Sequence, residues 1–157
     1  MPETLPVPKQ VRDVLSDLLG REVTVNLTDP AGDAPVVAVY QRNDQQLAGV
    51  IGFTLPLAAN TAAAMGLVPP GGAEACVEDN ELSPLLSDIL GEVSNILTSL
   101  FNHAGGPHVK FHALHTDAGS VPADARSHLA SLGSRLDLTV DIAGYKGGTL
   151  SIVVPVN

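Results

Sequence analysis

The chain has 157 residues, 45% of them apolar but only 3% aromatic, and it contains no tryptophan. That is enough for one domain with an aliphatic and Ala-filled core, and too apolar for an intrinsically disordered chain. Seventeen acids against eight bases give a net charge of −9, which argues against nucleic-acid and anionic-membrane binding because nothing neutralises phosphate. The single cysteine, Cys76, excludes an internal disulfide framework and a Cys-based zinc site. No apolar run approaches the roughly 18–20 residues of a membrane span, and no signal-peptide pattern opens the chain. A soluble cytoplasmic domain is expected.

Residues Met1–Lys9 hold Pro2, Pro6 and Pro8 and read as a flexible extended arm, leaving a single domain over 10–157. Val11, Val14, Leu15, Leu18 and Leu19 follow helical spacing over Gln10–Leu19, and Gly20 suits the end of that helix. Three strand-like stretches follow, Glu22–Thr28, Pro35–Gln41 and Leu47–Leu55. The segments Asp29–Asp33 and Arg42–Gln46 between them have turn compositions, so a three-stranded antiparallel meander is expected. Next come a short Ala-rich helix over Leu57–Gly66 and a flexible break at Pro69–Gly72. A long helix starts at Ser83-Pro84, with Ser as N-cap and Pro at the first helical position, and runs to about His103 before Gly105-Gly106-Pro107. A strand over His108–Thr116, a helix over Pro122–Leu132 ending near Gly133, and a hairpin of Leu136–Ala143 and Thr149–Val156 complete the chain. The order predicts an α+β domain with a mostly antiparallel sheet of about six strands and the long helix packed on it.

That long helix carries the functional information. Winding it at roughly 100° per residue puts Leu82, Leu85, Leu86, Ile89, Val93, Ile96, Leu97 and Leu100 on one apolar stripe. Asp88, Glu92, Asn95 and Ser99 fall on a narrow flanking stripe, within about 60° of each other. Most polar stripes are simply a solvated face. This one differs in two ways: Asn is a poor mid-helix residue, and there is no Lys or Arg in the stripe for i,i+4 pairing.

The spacing Asp88-x3-Glu92-x2-Asn95 resembles the active-site signature of the CheC/CheX/FliY family of aspartyl-phosphate phosphatases. The order of elements is similar too: an opening helix, three strands, a strand-then-helix over Leu47–Leu67, the signature helix and closing strands. Gln10–Leu19 has no Glu-x2-Asn pair, so the single signature is similar to CheX and unlike CheC, which tends to carry two. The resemblance implies hydrolysis of the aspartyl phosphate on a CheY-like receiver domain, terminating a two-component or chemotaxis-type signal. The receiver would supply the Mg²⁺ and a lysine, so no cofactor or metal ligand is expected in this chain. Asn95 would hold a water in line with phosphorus, because a carboxamide can accept from that water and donate nearby. Glu92 would pair with the receiver lysine and fix the register. Asp88, one turn earlier, would support Glu92 or touch the partner's rim. The resemblance also implies homodimer pairing through sheet edges, which the alternation in Leu136–Val156 permits.

The rival reading is a non-catalytic receiver-binding or switch-type module with the same fold. Two departures favour it. The family's extended pattern ends in a proline about two dozen residues past the Asn, whereas Pro107 comes early and Pro122 late, and Ala118–Gly133 adds a helix. A third reading, a small-ligand sensor, would need a closed apolar pocket of which the sequence gives no sign. His103, His108, His112 and His115 read as ordinary strand and surface histidines, since no paired His motif lies on a helix. Cys76 lacks a neighbouring His or Lys and reads as a small buried thiol. Gly147-Gly148 reads as hairpin chemistry, and Asp29, Asp33 and Asp44 as polar turns. Ser127 and His128 lack a third group for a triad.

Overall fold

The computed structural model describes residues 5–30, 34–102, 108–130 and 134–155, the side chains of Ala118, His128 and Ala130 excepted. The first residues of the expected arm, the end of the Asp29–Asp33 turn with Asp33 itself, His103, the Gly105–Pro107 stop, Leu132 and Gly133 at the expected end of the last helix, and the last two residues lie outside this set.

Helix α1 spans Pro8–Leu19, two residues earlier than expected. Pro8 sits at the first helical position, where its missing N–H costs nothing. Gln10 Oε1 accepts from the Val7 N–H at 2.9 Å. Gly20 closes the helix in the left-handed conformation, φ 63°, donating to the Ser16 carbonyl. Strands β1 (Val23–Leu27), β2 (Val36–Arg42) and β3 (Leu47–Phe53) follow. Helices α2 (Leu55–Met65), α3 (Pro70–Asp79) and α4 (Pro84–Ile96) come next, and α4 tightens into a 3₁₀ turn over Leu97–Leu100. Strand β4 (Val109–His115), a 3₁₀ turn at Ala118–Ser120, helix α5 (Ala123–Ala130) and the hairpin β5 (Arg135–Ile142) and β6 (Gly148–Val153) close the chain.

The six strands form one antiparallel sheet in the order β1-β5-β6-β3-β2-β4, as the element order predicts. The expected three-strand meander does not form. Strands β2 and β3 make a hairpin, but β1 pairs with β5, Val23 opposite Ile142, at the far edge of the sheet. A turn composition marks where a chain reverses, not which strand receives it, and β1 and β2 are not neighbours in the sheet.

The break expected at Pro69–Gly72 is instead the start of α3. Pro70 takes the first helical position, Ala73 and Cys76 are buried, and Asn80 ends the helix at φ 54°. Three helices therefore separate β3 from β4, not two. Helix α2 has almost no polar face: Leu57, Ala58, Ala59, Ala62, Ala63 and Ala64 are all buried, so the small side chains let α3 and α4 pack closely against it. Buried Asn60 ties α2 to the β5–β6 turn by accepting from the Lys146 N–H at 3.2 Å while donating to the Pro56 carbonyl at 2.8 Å.

The two faces of the sheet are covered differently. Val36, Ala38, Tyr40, Ile51, Leu138 and Ile152 point toward α1, α2 and α4 in the main core. Val37, Val39, Val50 and Val153 point the other way and are covered by Val121, Ala125 and Leu129 of the α5 segment. The added helix thus lies on the face of the sheet opposite α4. It is fastened there by Arg135, which donates to the Leu129 carbonyl at 2.8 Å and grips Asp137 through two bonds of 2.7 and 2.9 Å.

Candidate functional site

Helix α4 starts where the sequence places it. The Ser83 hydroxyl accepts from the Leu86 N–H at 3.2 Å, and the Ser83 N–H donates to the buried Cys76 sulfur at 3.4 Å. Cys76 therefore joins the end of α3 to the start of α4. Leu86, Leu90, Val93 and Leu97 are buried against α2 and the sheet. The expected apolar stripe is corrected at three positions. Leu85 is 59% exposed and Ile96 is 45% exposed, while Leu90, outside that stripe, is fully buried. Helical winding gives the relative angles, but only packing shows that the buried arc is centred on Leu86–Leu97. Leu85 and Ile96 lie roughly 100° from that centre and border the polar stripe instead.

Asp88, Glu92, Asn95 and Ser99 are all exposed. The structure brings the three signature side chains onto one open face, with roughly 5–6 Å between the Cβ positions of neighbours three or four apart. Among the described residues, no side chain hydrogen-bonds or ion-pairs with Asp88, Glu92 or Asn95. The polar atoms of an acid and an amide are thus both directed to solvent. Such a pair can bind a cation and hold a water molecule at once.

The seat of this face was not visible in the sequence. Tyr40, fully buried on β2, donates its hydroxyl to the Ser94 carbonyl at 2.6 Å. Ser94 immediately precedes Asn95, and the α-helical pattern gives way to 3₁₀ just beyond, at Leu97. The Tyr40 ring packs on Phe101 at 4.5 Å between centroids and on Phe111 at 5.7 Å. Gly49 on β3 makes room, since a Cβ there would overlap the Phe101 ring. Burial pushes the Tyr40 hydroxyl far above the usual phenol range, so it stays a donor. This bond ties the last α-helical turn, which carries Asn95, to β2.

The other candidates are dispersed. His108 and His112 are exposed on or beside β4, and His115 is half-buried there. Among the described residues no three His, Cys, Asp or Glu side chains are brought together in a group that could hold a metal. Ser127 is exposed on α5. A groove of about 290 Å³ lies between α3 and the β5–β6 turn, lined by Pro56, Asn60, Glu74, Val77 and Lys146. It contains none of the signature residues. No helix among the described residues is long and apolar enough to cross a membrane.

No family model and no curated protein sequence matches the chain. Solved structures do match it. A FliM–SpeE complex from H. pylori contains a chain with TM-score 0.62 at 12% identity, covering 94% of this chain and 80% of that one. Thermotoga maritima FliY matches with TM-score 0.58 at 16% identity, covering 92% and 81%. A CheX–CheY–BeF3–Mg complex from Borrelia burgdorferi matches with TM-score 0.52 at 17% identity, covering 92% of each chain. This chain has the fold that CheX, FliY and the FliM middle domain share.

Proposed function

We propose that this chain hydrolyses the aspartyl phosphate of a CheY-like receiver domain. The observation that carries the reading is the exposed presentation of Glu92 and Asn95 one turn apart on α4, with no side-chain partner among the described residues and with α5 on the other face of the sheet. The fold match to a structure that holds CheX with CheY, BeF3 and Mg supports a response-regulator partner.

In this reading the receiver contributes the metal and a lysine that offset phosphoryl charge. This chain contributes position. Glu92 pairs with the lysine as the surfaces close, which sets the height of α4 over the acyl phosphate. The Asn95 carboxamide oxygen then accepts a hydrogen bond from a water in line with phosphorus. Water oxygen bonds to phosphorus as the bond to the aspartyl oxygen breaks. The receiver carboxylate leaves with the electron pair, and both protons of the water stay with the phosphate released, which exchanges them with solvent. The transition state is loose, so orientation supplies most of what catalysis needs. Asp88 lies one turn before Glu92, where it would support Glu92 or touch the partner's rim. The chain itself holds no metal in this scheme.

A second reading has its own observation. FliM, in its complex with SpeE, has the same fold, so the α4 face would dock a receiver or switch-type partner without hydrolysis. The two are separated by charging a panel of receivers with a small phosphodonor and following loss of the phosphorylated form with and without this chain. Accelerated loss on at least one receiver supports catalysis. Binding without acceleration supports the docking module.

A further inference from the structure

We infer that the receiver docks on an acidic face with one apolar flank, built from the end of α2 and the exposed side of α4, and that Leu67 is held in a strained conformation to serve that flank. This rests on the phosphatase reading above and adds which receiver surface fits.

Helix α2 ends in a turn in which the Val68 N–H reaches back to the Ala63 carbonyl at 2.8 Å. Leu67 occupies the left-handed position of that turn, φ 56°. Glycine is the usual residue there, because a Cβ is crowded in that conformation. Leu67 is also 78% exposed, so burial in the chain's own core gives no return for the strain. Strained backbone positions cluster at binding and switch sites, and Leu67, unlike the other two positive-φ side chains, Gln45 and Asn80, is a large apolar one left in solvent.

Its surroundings say what it would bind. Gly66, the residue before it, abuts Ile89 of α4 so closely that a Cβ would overlap the Ile89 side chain. Leu85 and Ile96 lie on the Ile89 side of Glu92 by helical winding, whereas Asp88 and Asn95 lie on the other side. Leu67, Leu85 and Ile96 are 78%, 59% and 45% exposed, which leaves an apolar flank open beside the carboxylates. Residues 43–109 contain seven acids and neither Lys nor Arg. Helix α2 carries no charge, while the charged residues of α3 and α4, Glu74, Glu78, Asp79, Asp88 and Glu92, are all acids, of which Glu74 meets Lys146 of the β5–β6 turn at 3.7 Å. These acids repel a second copy of the same layer and attract a basic rim. The occupant that fits is a receiver carrying an apolar side chain on one flank of its phosphoaspartate and lysines or arginines around it.

The test uses the receiver turned over fastest in the panel, with Leu67→Gly, Leu67→Asn and Ile96→Ser. Both Leu67 variants relieve the left-handed strain, so their thermal unfolding midpoints are expected to rise. Their kcat/KM is expected to fall about fivefold or more, through KM, with kcat little changed. Ile96→Ser is expected to raise KM likewise, and kcat/KM of the unsubstituted chain is expected to fall as salt is added. Leu67 variants that bind and turn over the receiver as well as the unsubstituted chain overturn the docking flank alone. Loss of stability in Leu67→Gly overturns the strain argument. A chain that neither binds nor dephosphorylates any receiver overturns the phosphatase reading and this inference with it.

Discussion

Replacing Tyr40 with Phe tests the seat beneath Asn95. The phenol is fully buried and donates to the Ser94 carbonyl at 2.6 Å, from a strand 54 residues earlier in the chain. Phe keeps the ring against Phe101 and Phe111 and removes only the donor. The expected cost is about 1–2 kcal/mol, the range for losing a buried hydrogen bond and leaving its acceptor short of a partner. A second signature comes from pH. Burial raises the Tyr40 pKa, so above about pH 10 the unfolded chain releases a proton that the folded chain keeps. This group's contribution to stability is therefore constant below that pH and falls by about 1.4 kcal/mol per pH unit above it. Urea unfolding of both proteins at neutral pH and at about pH 10.5 to 11 reads both effects. The variant is expected to be less stable at neutral pH, with the gap closing as pH rises. Equal midpoints at neutral pH, or a gap that stays constant into alkali, would refute the reasoning.

Two further substitutions probe the two faces of the sheet. Burial alone would raise the Asp137 carboxyl, but hydrogen bonds from Arg135 and Ser151 and the guanidinium charge together hold it below the usual carboxylate range. The stability it contributes is present above the unfolded pKa near about 4 and is lost as pH falls through the lower folded value. Asp137→Asn is expected to cost about 3–5 kcal/mol at neutral pH and to flatten the acid limb of a stability–pH curve; an unchanged limb would contradict the assignment. Gly49→Ala pushes a methyl group into the Phe101 ring and is expected to cost about 1–3 kcal/mol, read as a lower thermal midpoint. An unchanged midpoint would mean that the ring swings aside freely.

The elements with local signals were legible in the sequence. Ser83-Pro84 starts α4 by supplying a hydroxyl acceptor and a residue that needs no donor, and Gly20 ends α1 by taking a positive φ. The apolar runs of β2 and β3, buried on both faces, and those of β5 and β6 specify a sheet, and their turns specify hairpins. What was not legible depends on distant partners. Nothing in Val23–Leu27 says that it pairs with Arg135–Ile142 instead of the next strand in sequence. Pro69-Pro70-Gly71-Gly72 looks like a break because the signal for α3 lies in Ala73 and Cys76 finding the core, a tertiary effect. The candidate site was half visible. Asp88, Glu92 and Asn95 share a stripe by winding alone. That Leu85 and Ile96 join them at the surface depends on where the helix is pressed against α2, and the anchoring of Ser94 depends on a tyrosine from another strand. A leucine at a left-handed helix end gives no sequence signal at all, because nothing in its neighbours distinguishes it from an ordinary loop residue.

The most direct measurement compares binding and phosphate release by Asn95→Ala against a phosphorylated receiver. Asn95 is exposed and small, so its loss removes the group that orients water and very little contact area. Release is expected to fall about a hundredfold or more, with affinity for the receiver nearly unchanged, whereas Glu92→Ala weakens both. Phosphate release that continues at the unsubstituted rate in Asn95→Ala would contradict the assignment of this face as the catalytic one.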